Sequence, residues 1–182
     1  MLEIYITDLT AYNKGFLIRE WITLPLDQQE LSAAVDKVLR GGEAICALEY
    51  GYEKHEEYFI TDWQYNSHEF YDIDEYENIY NLNEQLQELK YKSDHELKAI
   101  SFLITEGIAT DIADAITKAD DVHIYENYSM EDIAYDLMQE SYQADLLPSI
   151  IANNIDYEAI ARELEYDGYY YEVGSDIYEY VG

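Results

Sequence analysis

The chain has 182 residues, with 40 Asp and Glu against 10 Lys and Arg, which gives a formal net charge of −30 at pH 7. Acidic disordered tails are poor in aromatic and aliphatic residues, whereas this chain is 48% hydrophobic and carries 21 tyrosines, so the composition excludes a disordered chain. A net charge of magnitude about 2 to 8 suffices for the solubility of a small domain, so the excess indicates a function for the charge itself.

The cysteine count and the absence of apolar runs indicate the compartment. Cys46 is the only cysteine and cannot form an intramolecular disulfide, which is typical of a reducing environment, and its apolar neighbours predict that it is buried. The first residues lack the basic and apolar regions of a signal peptide, and no stretch approaches the ~18 apolar residues of a membrane span. We therefore expect a soluble, cytoplasmic protein.

Residues 1–64 are predicted to form a subdomain of strands around one helix. Ile, Leu, Tyr and Trp are concentrated in residues 2–7 and 15–24, and the turn-like residues 12–15 between them predict a hairpin with a longer loop. The alternation of apolar and polar residues over 57–64 predicts a further strand.

The helix of this subdomain has clear start and stop signals. Asp27 is a candidate N-cap, and apolar residues follow at helical spacing to about residue 40. Gly41 and Gly42 predict the end of the helix at that point.

Residues 65–106 are predicted to be a helical subdomain. Asn81 with Glu84, and Ser93 with Glu96, each form a capping signal three residues apart. The two signals predict two short helices and little sheet.

Residues 107–182 are predicted to be a subdomain of helices and closing strands. Ser129 with Asp132 forms a capping signal, Asp156 starts a further helix, and Gly168 predicts the end of that last helix. The predicted elements are a helix over residues 110–118, a strand over Val122–Tyr125, helices beginning near Ser129 and Asp156, and strands over residues 169–173 and 177–181. The predicted fold class is therefore α+β, in three small subdomains.

Two long stretches carry no basic residue. One lies between Lys54 and Lys90 and the other between Lys118 and Arg162, and each contains ten acids. Such stretches cannot neutralise their own charge locally. We therefore expect their carboxylates to be available to a cationic partner.

Three separated motifs span nearly the whole chain and resemble one family. They are residues 4–9 and 12–15 with Trp21 and Pro25, then residues 57–63, and then residues 148–164. In this order the motifs resemble the ArdA antirestriction proteins. The resemblance implies an elongated, three-domain homodimer that mimics bent B-form DNA and occupies the DNA groove of type I restriction–modification enzymes. It implies contact with their DNA-specificity and methyltransferase core, without direct binding of nucleic acid.

The charge is of the right size for mimicry. DNA carries one negative charge per roughly 1.7 Å of helix axis, so thirty excess carboxylates match about 50 Å of duplex, or about 15 base pairs. On the helix near Ser129, Asp132, Asp136 and Glu140 recur every four residues, about 6 Å apart along the axis. Taken alone, this triplet is typical of a solvated helix face.

Twenty carboxylates are predicted to stand in for phosphates. For most of the tyrosines interleaved with them we expect a buried ring and an exposed hydroxyl. The predicted carboxylates are Asp62, Glu69, Asp72, Asp74, Glu75, Glu77, Glu84, Glu88, Asp111, Asp114, Asp120, Asp121, Glu126, Glu131, Asp132, Asp136, Glu140, Asp145, Asp156 and Glu158.

An enzyme and a calcium protein are the first alternatives. Forty acids produce close carboxylate pairs by chance, the four histidines are dispersed, and the sequence has no Gly-rich phosphate loop, G-x-S-x-G or H-E-x-x-H motif. Asp72 and Asp74 open like an EF-hand loop, but Glu77 takes the place of its glycine. We therefore predict no catalytic residue, cofactor or metal site.

The acidic excess is also compatible with different functions. A salt-adapted surface or nonspecific cation binding produces the same composition. A nucleoid protein or a CRISPR effector presents a basic channel that a DNA mimic could enter in place of a restriction enzyme. Dimerisation is implied by the resemblance, and the apolar and tyrosine content of the last segment favours it as the interface.

Overall fold

The computed structural model describes residues 1–182 and divides the chain into two compact units, Met1–Ala113 and Asp114–Gly182. Helices combine with small antiparallel sheets, so the predicted α+β class is confirmed. The finer division at residues 64 and 106 stays a prediction.

The helices are α1 (Leu9–Asn13), α2 (Gln28–Tyr50), α3 (Ile79–Leu89), α4 (Asp94–Thr105), α5 (Ile112–Lys118), α6 (Met130–Tyr142), α7 (Ser149–Ala152) and α8 (Tyr157–Asp167). The strands are β1 (Leu2–Asp8), β2 (Arg19–Leu24), β3 (Tyr58–Tyr65), β4 (Val122–Tyr125), β5 (Tyr170–Val173) and β6 (Asp176–Tyr180). Short 3-10 turns lie at Ala119–Asp121 and Ala144–Leu146. None of these helices combines the length and the apolar character needed to cross a membrane.

The sheet of the first unit has the order β2-β1-β3, with antiparallel pairing throughout. Leu2, Ile4 and Ile6 alternate along β1 and are fully buried on one face of this sheet. Helix α2 packs against β1 and buries Leu31 and Val35. The apolar and aromatic content of residues 2–7 predicted this strand, and the burial of alternate side chains on one face stabilises it.

The hairpin differs from its prediction. β2 begins at Arg19, so the expectation of a strand from residue 15 was wrong. Helix α1 fills part of the loop instead, because Asp8 Oδ1 accepts the Ala11 N–H at 2.8 Å and caps the helix. The cap shifts the chain out of the extended conformation directly after β1.

Helix α2 begins after Asp27 as predicted, and the Asp27 N–H donates to the Glu30 carboxylate at 3.4 Å. The predicted end at Gly41 and Gly42 was wrong, because the helix continues to Tyr50. A Cβ at Gly42 would lie 2.0 Å from an oxygen of the buried Asp8 carboxylate. This glycine therefore permits a close approach within a continuous helix.

Helix α3 also begins earlier than predicted. Its N-cap is Asn78, whose side chain accepts the N–H of Asn81, so the capping role predicted for Asn81 was wrong. The capping signal at Ser93 and Glu96 is confirmed at the start of α4. Helix α5 begins at Ile112, two residues after the predicted start.

A buried side chain fastens α3 to the segment after β2. The Asn83 Oδ1 accepts the Leu26 N–H at 2.7 Å, and the Asn83 amide donates to the Leu26 carbonyl at 2.9 Å. Asn83 thus satisfies both backbone groups of a residue that no strand pairs. The first unit is held together by this contact as well as by its apolar core.

The second unit is built on a sheet of order β4-β6-β5. Helices α6 and α8 pack together, and Met130, Ile133, Ala134, Ala161 and Ile177 form the centre of its core. The predicted caps are confirmed, since the Ser129 and Asp156 side chains accept backbone N–H groups and Gly168 ends α8 at φ 77°.

Candidate functional site

The twenty predicted carboxylates lie at the surface of the protein. Seventeen of them are exposed, and Glu77, Asp114 and Asp136 are half-buried. None is buried, so none is a core residue held for structural reasons alone. The surface they form is called the acidic surface below.

Five of the ten Lys and Arg residues are paired with acids outside this set. Asp114 and Glu158 are the two predicted carboxylates that receive a Lys or Arg in the pairs that follow. The pairs are Lys14 with Glu53, Lys37 with Glu20, Arg40 with Asp36, Lys54 with Glu56, Lys92 with Glu96, Lys118 with Asp114, and Arg162 with Glu158.

Eleven carboxylates of the acidic surface accept no hydrogen bond and form no ion pair within the protein. They are Glu69, Asp72, Glu75, Glu77, Glu84, Glu88, Asp120, Asp121, Glu131, Glu140 and Asp145. Their charge is therefore not neutralised by the chain itself.

The charge is denser in the second unit. Residues 1–113 contain 23 acids and 8 bases, and residues 114–182 contain 17 acids and 2 bases, so each unit has a net charge of −15. The second unit carries this charge on little more than half as many residues. Local neutralisation is accordingly weakest there.

Trp63 lines two grooves whose walls together include four of the predicted carboxylates. One groove of about 380 Å³ is lined by Trp63 together with Asp62 and Glu75. A second groove, of about 300 Å³, is lined by Trp63 together with Glu69 and Asp72. The Ile60 N–H donates to the Glu75 carbonyl at 2.8 Å and holds this segment beside β3.

A further pair meets near the end of α3. Glu84 and Glu88 are exposed one turn apart on α3, on the side away from the buried Leu82 and Leu86. Glu88 and Asp111 line the same cavity of about 150 Å³, although 23 positions separate them in the sequence. Folding thus brings two parts of the predicted set together.

The row predicted on α6 is only partly free. Asp132 accepts the Ser129 N–H at 2.9 Å and its hydroxyl at 2.7 Å, and these hydrogen bonds lower the pKa of Asp132. The charge of Asp136 and its hydrogen bond with Tyr128 raise the pKa of that phenol. Glu140 alone of the three has no local hydrogen bond. Asp132 therefore caps the helix in addition to carrying charge.

The tyrosines divide almost evenly between surface and interior. Ten of the 21 tyrosines are exposed, ten are half-buried and Tyr178 is buried. Eleven side chains are therefore at least half-buried, which is fewer than the expectation of mostly buried rings implied. Burial raises the pKa of Tyr58 and Tyr65 to about 12. Burial also raises the pKa of Tyr125, whose hydroxyl donates to Glu179 at 2.9 Å. These phenols are neutral at pH 7 and add no charge to the surface.

Sequence reasoning missed four exposed carboxylates of the second unit. Glu163, Glu165 and Asp167 on α8 and Glu172 on β5 are exposed and unpaired. They follow Arg162, where the second stretch without bases ends. The acid density of residues 163–167 is the signal that could have found them.

No group of three or more His, Cys, Asp or Glu side chains is arranged to hold a metal ion. The buried polar residues are Thr7, Asp8, His55 and Asn83, all in the first unit. Cys46 is buried as predicted, and burial raises the pKa of its thiol, which keeps it protonated.

A family model described as antirestriction protein (ArdA) matches residues 4–179. The chain belongs to the ArdA antirestriction family. The match includes all three motifs on which the resemblance was based. No curated protein sequence matches the chain significantly. The ArdA family consists of antirestriction proteins, which act on restriction enzymes as inhibitors.

Proposed function

We propose that this member of the ArdA family inhibits type I restriction–modification enzymes as a mimic of B-form DNA. The acidic surface occupies the DNA-binding groove, against the DNA-specificity and methyltransferase core, and excludes the substrate. Inhibition is competitive and involves no catalysis by this chain.

The observation that carries the proposal is the set of eleven unpaired carboxylates. A basic groove gains most from acids that have no cation of their own, because an ion-paired carboxylate must first lose its partner. Glu75, Glu88 and Glu140 exemplify such acids on three different elements or loops of the chain. Unpaired acids on several elements favour recognition through many contacts over recognition at a single point.

Spacing on the helices also supports mimicry. Glu84 and Glu88 on α3 are four residues apart, which separates them by about 6 Å along the helix axis. Like charges at this spacing repel by roughly 0.2 to 0.5 kcal/mol per pair. The pair therefore gains nothing from its spacing within the helix, which is consistent with a role in binding a cationic partner.

The proposal is tested by neutralising two sets of three carboxylates, one unpaired and one ion-paired. The block variant Asp120→Asn, Glu131→Gln, Glu140→Gln removes three unpaired charges from the second unit. The control block removes three acids that are already ion-paired, Glu20, Asp36 and Glu56.

Both blocks change the net charge equally. We expect the block variant of unpaired acids to raise the protein concentration needed for half-inhibition of a type I enzyme. This increase should be about tenfold larger than the increase caused by the control block. Equal effects would show that total charge rather than the acidic surface determines inhibition. Retention of full inhibition by both would contradict the proposal.

We further propose that two copies of the chain associate through the second unit. Tyr142, Leu146, Ile150 and Ile151 expose 64%, 78%, 79% and 51% of their surfaces within residues 142–151. Large apolar side chains concentrated in this way are typical of protein interfaces. The segment contains one acid, Asp145, so charge repulsion is smallest where two copies would meet.

Light scattering tests this association. The chain has a mass of 21.4 kDa, and we expect twice that mass at micromolar concentration. Ile150→Asp is expected to give the monomer mass, whereas Leu48→Asp, at a residue of the first unit that is 81% exposed, leaves the dimer intact. A monomer mass for the unchanged chain would overturn the proposal.

A further inference from the structure

The first unit contains a cavity of about 160 Å³ whose chemistry is opposite to that of the acidic surface. It lies between the start of β1, the loop before α3, the end of α3 and the start of α4. Its apolar lining consists of Met1, Pro25, Phe70, Leu86, Leu89 and Leu97. An apolar cavity of this size can hold a small organic molecule such as a benzene ring.

The charge at this cavity is positive. Lys90 and Lys92 line it together with the apolar side chains and Ser67, and no acid does. Each of the four other described cavities is lined by at least one Asp or Glu. In a chain with 40 acids and 10 bases, this cavity is therefore a local exception.

The two lysines differ in availability. Lys92 Nζ donates to the Glu96 carboxylate at 3.0 Å and is already neutralised. Lys90 Nζ lies 5.9 Å from the centre of the Tyr91 ring and has no carboxylate partner. Tyr91 is 89% exposed, so it leaves Lys90 open to solvent and to a ligand. An ammonium ion at the mouth of an apolar cavity selects an apolar molecule with one negative charge.

We propose that this cavity binds a small organic monoanion, an aromatic or short branched carboxylate. Its apolar body fills the space among Phe70, Leu86, Leu89 and Leu97, and its carboxylate pairs with Lys90. The site is separate from the acidic surface and does not depend on the mechanism of inhibition. Binding stabilises the first unit, because the ligand contacts the loop and both helices that enclose the cavity.

Three probes of one shape and different charge test the site: benzoate, benzamide and benzylamine. Methyl NMR spectra of the intact chain report on Leu86, Leu89 and Leu97, and the midpoint of thermal unfolding reports on stability. We expect millimolar benzoate to shift these methyl signals and to raise the midpoint. We expect benzoate to bind about fivefold more tightly than benzamide, as a partly exposed ion pair allows.

Lys90→Gln is expected to abolish the preference for benzoate over benzamide. Lys37→Gln, which removes an equal charge from an exposed site on α2, is the control and keeps the preference. Leu97→Phe fills part of the cavity and is expected to weaken the binding of all three probes. The proposal would be overturned if benzylamine bound more tightly than benzoate, or if Lys90→Gln kept the preference for benzoate over benzamide. It would also be overturned if no probe shifted the methyl signals.

Discussion

His55 Nδ1 lies 2.6 Å from Asp8 Oδ2, and both side chains are fully buried in the first unit. The Nδ1–H donates to the carboxylate, while Nε2 is buried and has no hydrogen-bond partner. The other oxygen of Asp8 caps α1, so one carboxylate joins β1, α1 and the segment before β3.

Removal of the histidine tests the importance of this contact. His55→Leu is expected to lower the free energy of unfolding by about 3 to 5 kcal/mol, because it leaves a buried carboxylate with no partner for one oxygen. Urea denaturation measures the change. The double variant Asp8→Asn, His55→Leu removes the uncompensated charge and is expected to regain part of the loss. Equal losses in both variants would show that the charge of Asp8 is not the cause.

The adjacent glycines of α2 give a second, internally controlled prediction. Gly42→Ala places a Cβ 2.0 Å from Asp8 Oδ2, and we expect a loss of about 1 to 3 kcal/mol or more from overpacking. Gly41→Ala meets Ile18 Cγ2 at 3.2 Å, a contact that a small side-chain shift relieves. Its helix-propensity gain of about 0.5 to 1 kcal/mol offsets that shift. Thermal unfolding midpoints should therefore separate the two variants, and similar midpoints would contradict this packing.

The buried amide of α3 gives a third prediction. Asn83→Ala leaves the Leu26 N–H without its acceptor, whereas the Leu26 carbonyl keeps the hydrogen bond that Gln87 Nε2 donates at 2.8 Å. We expect a loss of about 1 to 3 kcal/mol in the free energy of unfolding. Asn81→Ala on the same helix, at an exposed position, is the control and is expected to change it by less than about 0.5 kcal/mol. A small effect at Asn83 would mean that the Leu26 contact is not needed.

The capping box of α4 predicts a specific dependence on pH. Hydrogen bonds from Ser93 and from Lys92 lower the pKa of Glu96 from 4.5 to about 2. A lowered pKa means that Glu96 stabilises the fold above pH 4.5 and that this stabilisation disappears as the pH falls towards 2. Glu96→Gln should therefore destabilise the protein at pH 7 and have little effect at pH 2. Glu88→Gln, which removes an unpaired charge, is the control.

Local sequence signals predicted much of the fold. The caps at Asp27, Ser93, Ser129 and Asp156 lie where the helices begin, because a capping side chain bonds backbone groups only two or three residues away. The concentration of apolar and aromatic residues over 2–7 predicted β1 from similarly local information. Such features need no knowledge of the rest of the chain.

The errors have tertiary causes. Gly42 looked like a helix end because glycine favours one, yet here it makes room for the buried pair of Asp8 and His55. Charge counting predicted the carboxylates of the acidic surface but could not show which of them are hydrogen-bonded in the fold, as Asp136 is to Tyr128. It also could not show that Trp63 lines two grooves together with four carboxylates, since β3 and the loop before α3 meet only in the folded unit.

The most direct test of DNA mimicry is a competition titration. A labelled duplex is bound to the methyltransferase core of a type I restriction–modification enzyme, and the protein is added at two salt concentrations. Mimicry predicts stoichiometric displacement of the duplex at low salt and weaker displacement at high salt, because unpaired carboxylates provide the attraction. A duplex that stays bound at equimolar protein in low salt would contradict DNA mimicry.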